Sequence, residues 1–126
     1  MRIHTIDHDF FAKRVIASYL LENGGEPVLI ESGPDTTFHT LEKGLNGHGY
    51  SVEDIRNVFV THIHLDHSGA AWRFADAGAK IYVHPFGAQH LADPAKLVAS
   101  ARRIYNEHME TLCGEIRPIA SDNIHE

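Results

Sequence analysis

The sequence predicts a single α/β domain. Short runs of β-branched and aromatic residues alternate with segments whose apolar residues recur every three or four positions. Glycine, proline and asparagine punctuate the boundaries between them. The 126-residue length suits one domain, and 43% hydrophobic with 22% charged residues is an ordinary globular composition.

Ile3 to Ile6 and Val15 to Leu21 read as the first two strands, and Asn23-Gly24-Gly25 is the turn that sends the chain back into a third, Pro27 to Ile30. The three form a meander that Gly33-Pro34 ends. Thr36 or Thr37 then caps a helix with Phe38, Leu41 and Leu45 on one face, closed by Gly47 and Gly49. Ser51-Val52-Glu53-Asp54 has capping-box spacing, which nucleates a short turn before Val58-Phe59-Val60 starts another strand. Gly69 to Ala77 reads as helix, Gly78 stops it, and Lys80 to Val83 returns as a strand. Asp93-Pro94 starts the last helix, with Asp93 as cap. Leu97, Ala101, Ile104, Tyr105 and Leu112 extend it as one amphipathic stripe to about Cys113-Gly114.

Composition narrows the function. A net charge of −6 argues against a nucleic-acid surface, which neutralises phosphates with clustered Lys and Arg. The single cysteine, Cys113, allows neither an intramolecular disulfide nor a thiolate cluster and fits a reducing, cytoplasmic setting. Met1 to Asp9 lacks the apolar core of a signal peptide, and no stretch approaches the roughly 20 apolar residues that span a bilayer. Secretion and membrane insertion are not expected.

Eleven histidines are the unusual feature, and three fall at positions 62, 64 and 67. A lone histidine is more often a surface or core residue than a ligand, and His4, His8, His39, His48, His90, His108 and His125 read that way. The cluster does not. A divalent metal needs neutral imidazoles and carboxylates converging on one point. His62 and His64, two apart, share a side of an extended backbone. Asp66 and His67 follow where the chain turns into the next helix and face a second point beside the first.

Thr61-His62-Ile63-His64-Leu65-Asp66-His67-Ser68-Gly69 resembles the His-x-His-x-Asp-His loop of the metallo-β-lactamase superfamily, with Val58 to Thr61 as its strand. Val28 to Gly33 resembles the strand and turn where that family often has Asp-x-Gly, Glu31 standing in place of the Asp. Ile81-Tyr82-Val83-His84-Pro85 resembles the strand after the motif helix. The likeness covers Met1 to about Pro118. It implies the amino-terminal half of an αββα sandwich, with a mostly antiparallel or mixed sheet and helices on one face.

The resemblance further implies that His62 and His64 bind one metal, Asp66 and His67 a second, and that Asp66 also orients or deprotonates the attacking water. The implied chemistry is metal-assisted hydrolysis of an ester, thioester or lactone-type bond, closest to glyoxalase II-like and lactonase-like hydrolases. Two zinc ions suit the donor set, and iron or manganese are compatible. His64 stands where the diiron flavoproteins of the superfamily usually have Glu, which favours hydrolysis. Mononuclear iron sulfur dioxygenases share the motif and are the enzymatic alternative; a noncatalytic metal-binding or interaction module is the other. His84 and the Arg102-Arg103 pair read as a strand-end residue and an exposed helix face.

Members of the superfamily are usually longer, and their remaining metal ligands come from a second half. His125 lacks the context of such a ligand and is not assigned. The chain is expected to be a fragment, a split-enzyme subunit or a noncatalytic half. By itself it is expected to be inactive or weakly active and to cover its sheet with a second polypeptide or by self-association.

Overall fold

The computed structural model describes Met1–Glu126, apart from the side chain of Glu110. Six strands form one sheet in the order of the sequence: β1 (Arg2–Asp7), β2 (Ala17–Glu22), β3 (Val28–Ile30), β4 (Asn57–Phe59), β5 (Lys80–Tyr82) and β6 (Ile124–His125). β1, β2 and β3 pair antiparallel, which is the expected meander. β3 through β6 pair in parallel, so the sheet is mixed. Parallel neighbours require crossovers, and helices supply them: α1 (Phe38–Gly47), α2 (Leu65–Ser68), α3 (Ala71–Asp76), α4 (Pro85–Ala92), α5 (Ala95–Tyr105) and α6 (Met109–Cys113).

Alternation along the strands divides the sheet into two unlike faces. Leu20, Leu29, Val58 and Ile81 are fully buried on one of them, against Phe38, Leu41 and Leu45 of α1 and Trp72 and Phe74 of α3. Each such side chain contributes roughly 1.5–3 kcal/mol of burial. The other face carries Ile3, Tyr19, Phe59 and Tyr82, and Tyr19 and Phe59 remain 41% and 42% exposed. Phe59 and Tyr82 stack at 4.4 Å on it. Helices therefore cover one face, as expected, and an apolar strip lies open on the other.

Several boundaries differ from expectation. The helix placed at Gly69 to Ala77 begins at Leu65 and breaks at Gly69–Ala70, so the metal loop runs into its first turn. Thr37 holds the N-cap position of α1 without a side-chain cap bond, because its hydroxyl is drawn to His8 and Pro34. The capping box at Ser51 and Asp54 is present as read. The single helix drawn to Cys113 is broken at Asn106, whose φ is +51°. That break turns Met109 and Cys113 inward with Ala101 and Leu65 into a second small cluster and leaves Ile104 71% exposed. Pro94, not Asp93, takes the α5 cap position, while the Asp93 carboxylate accepts the Ala95 N–H. α4 and β6 were not anticipated. Among the described residues no helix is long and apolar enough to cross a membrane.

Candidate metal centre

The histidine loop leaves the carboxyl end of β4, and His64 is the N-cap of α2, which places Asp66 and His67 in the first helical turn. The loop brings its three imidazoles together. His62 lies edge-on to His64 with ring centroids 4.9 Å apart and is tilted over His67 at 4.0 Å. Asp66 Oδ2 stands 3.4 Å from His67 Nε2. The Thr61 hydroxyl engages His62 Nδ1 at 2.9 Å. The flanking Leu65 and Ser68 are buried and fasten the loop, Ser68 Oγ donating to the Ile63 carbonyl at 2.8 Å.

Glu31 is the residue that ties this loop to the rest of the sheet. It follows β3 directly, and its N–H donates to the Phe59 carbonyl of β4 at 2.8 Å. Its buried carboxylate accepts from the Thr61 N–H and from His67 Nδ1, both at 2.7 Å. The next two residues complete the junction: the N–H groups of Ser32 and Gly33 both donate to the His67 carbonyl, at 3.0 and 3.1 Å. The two segments that the sequence singled out are thus one hydrogen-bonded unit. The Glu31 carboxylate, which can only accept, fixes the ring orientation of His67 through its Nδ1.

Beneath this junction lies a polar group that sequence reading assigned to the background. His8 is fully buried between Ser18 Oγ and Thr37 Oγ1, each 2.7 Å from a ring nitrogen. Removal from water pushes its pKa down to about 4, against the opposing pull of Asp7 and Asp9, so the ring is neutral at pH 7. The Asp7 carboxyl is held below its ordinary range chiefly by accepting the Asp9 and Arg14 N–H groups. Burial and the nearby Asp66 charge hold the Cys113 thiol above its ordinary value, which keeps it an unreactive core thiol.

The donor chemistry fits divalent metal. Two donors each about 2.1 Å from a tetrahedral zinc ion lie about 3.4 Å apart, which is the separation of Asp66 Oδ2 and His67 Nε2. With Nδ1 committed to Glu31, His67 presents Nε2 as its remaining lone pair. Among the described residues no three His, Cys, Asp or Glu side chains enclose a common point; Asp66 and His67 are the two whose donor atoms stand at that separation.

Beside the loop opens a cavity of about 550 Å³, where Glu31, Thr61, Asp66 and His67 meet an apolar wall that includes Val15, Ile16, Tyr19 and Ile30. The other histidines lie apart from it. His84 caps α4 by accepting the Phe86 N–H, and Arg102 and Arg103 are exposed on α5. His125 is in β6 against Tyr82 on the open sheet face, with Nε2 buried and without a hydrogen-bond partner among the described residues.

The family model of the metallo-beta-lactamase superfamily matches residues 13–117. No curated protein matches. Solved structures do, and a metallo-beta-lactamase family protein from Thermus thermophilus superposes with a TM-score of 0.71 at 22% identity, over 94% of this chain and 44% of its own. The FEZ-1 metallo-beta-lactamase from Legionella gormanii gives a TM-score of 0.68 at 15% identity, over 97% and 42%. A metallo-beta-lactamase mutant from Cronobacter sakazakii gives 0.66 at 18%, over 97% and 43%. The chain spans less than half the length of each of these structures.

Proposed function

The chain belongs to the metallo-β-lactamase superfamily, and we propose that it carries the metal-loop portion of a hydrolase acting on a small ester, thioester or lactone. The observation that carries this reading is the Glu31 carboxylate on His67 Nδ1, with Asp66 Oδ2 3.4 Å from the same ring's Nε2. His62 and His64 hold one ion, Asp66 and His67 the other, and zinc is the ion that three imidazoles and a carboxylate without thiolate suit best. Bound divalent ions supply Lewis acidity and lower the pKa of water toward neutrality. Asp66, half exposed at the cavity edge, accepts a proton at its carboxylate from the attacking water, and Glu31 keeps the His67 ring from turning.

The cavity is apolar at Val15, Ile16, Tyr19 and Ile30 and net acidic, with Asp7, Glu31 and Asp66 against Arg14, which favours an acyl or lactone ring over a polyanion, and the net charge of −6 disfavours nucleic acid. The single buried cysteine suits a cytoplasmic setting. Two donors per ion fall short of the three protein ligands usual for catalytic zinc. The remaining donors therefore come from a second polypeptide segment, which also covers Tyr19, Phe59 and Tyr82. A panel of chromogenic esters, lactones and phosphodiesters, assayed on the zinc-loaded chain together with that segment, tests the reading. Ester or lactone turnover supports it; phosphodiester turnover alone overturns the substrate class, and stoichiometric iron with negligible zinc in protein purified without added metal replaces hydrolysis by the dioxygenase.

A further inference from the structure

We propose that His8 and Ser18 are positioning residues for the metal loop, acting through the Glu31 backbone to hold His67 as the tautomer that ligates. The inference rests on the reading of His67 as a ligand, and its test separates the two.

Ser18 Oγ donates to the Glu31 carbonyl at 2.6 Å. Having one proton, the hydroxyl cannot also donate to His8, so at the 2.7 Å contact between them the proton sits on His8 Nε2. A neutral imidazole carries only that one proton. His8 Nδ1 is therefore an acceptor, and it takes the Thr37 hydroxyl at 2.7 Å in preference to the Pro34 carbonyl at 3.3 Å from the same oxygen. Each polar atom in the chain Thr37, His8, Ser18, Glu31 carbonyl then has a defined donor or acceptor role.

That chain ends on a strained residue. Glu31 has φ +68°, a left-handed conformation that a side chain disfavours and that persists where the surroundings over-determine it. Two contacts do so: its N–H goes to Phe59 and its carbonyl receives Ser18. This backbone setting sends the carboxylate back to Thr61 N and His67 Nδ1. His8 supports the next turn as well, because Gly33, φ +70°, lies on its ring so closely that a Cβ would collide with it. Gly33 N–H in turn donates to the His67 carbonyl. A purely apolar core residue at position 8 would fill the space but leave Ser18 free to rotate away from Glu31.

Long-range ¹H–¹⁵N NMR of the chain without metal reads the tautomers directly. The expected result is Nε2–H for His8 and Nδ1–H for His67. In Ser18→Ala, with native chemical-shift dispersion retained, the Nδ1–H preference of His67 is lost and Co²⁺ affinity falls about tenfold. His8→Leu gives the same loss, and His8→Gln, whose amide donates to Ser18 and accepts from Thr37, restores the parent signature. If His8→Leu does not fold, Ser18→Ala carries the test. The opposite His8 tautomer in the parent, or a folded Ser18→Ala chain with an unchanged His67 tautomer, overturns the proposal. Loss of the His67 preference in a chain whose parent binds no Co²⁺ upholds the positioning and instead overturns His67 as a ligand.

Discussion

Acidification should destabilise this protein through His8 before most of its carboxylates titrate. Burial lowers the His8 pKa from 6.5 to about 4, so between those values the unfolded chain binds a proton that the folded chain refuses. Stability is therefore fully present above about pH 6.5, falls as pH drops through the window, and levels off for this group below about 4. The complete change corresponds to roughly 3 kcal/mol, and the portion between pH 7 and pH 5 to roughly 2 kcal/mol. With a urea dependence of about 2 kcal/mol per molar, the midpoint should move down by about 1 M. Urea titrations followed by fluorescence of Trp72, the only tryptophan, at pH 7 and 5 measure this. His8→Gln is the control, since it keeps the hydrogen bonds without the titration and should lose most of the shift. Coincident midpoints in the parent, or an equal acid shift in His8→Gln, would refute the reasoning.

Glu31→Gln keeps the shape of the side chain but removes its charge, and Co²⁺ titration should show metal affinity down 10- to 100-fold with unchanged circular dichroism; unchanged affinity would remove Glu31 from the site. Gly33→Ala adds both a disfavoured φ and a collision with His8, and should cost roughly 3 kcal/mol in urea unfolding. Phe59→Lys places a charge in the open apolar strip, so sedimentation should show a self-associating parent and a monomeric variant. An identical oligomeric state in both would exclude this face as the contact.

The sequence announced those parts of the structure whose pattern is local. The meander was readable from the Asn23-Gly24-Gly25 turn, and α1 from Phe38, Leu41 and Leu45, all three buried as their spacing requires. The break at Asn106 was not, because the apolar period runs straight across it; contacts of Met109 and Cys113 with Leu65 and Ala101, distant in sequence, decide the matter. α4 was hidden by Gly87 and by its short length. Gly87 belongs there for a tertiary reason, since a Cβ would press on Ile63 and Val83. In the site, the His62 to His67 cluster was conspicuous, whereas the function of Glu31 depends on the parallel β3–β4 register that carries it to Thr61 and His67. His8 gave no signal beyond being one histidine among eleven. Ser18, a polar residue at an inward strand position beside Leu20, was the available hint.

Residues 62 to 67 are expected to bind divalent metal in two pairs, His62 with His64 and Asp66 with His67. Equilibrium dialysis against saturating zinc, followed by elemental analysis, should find two zinc ions per parent chain and one per chain after His62→Ala and His64→Ala are combined. The same zinc content in the parent and the double variant, or none in either, would contradict it.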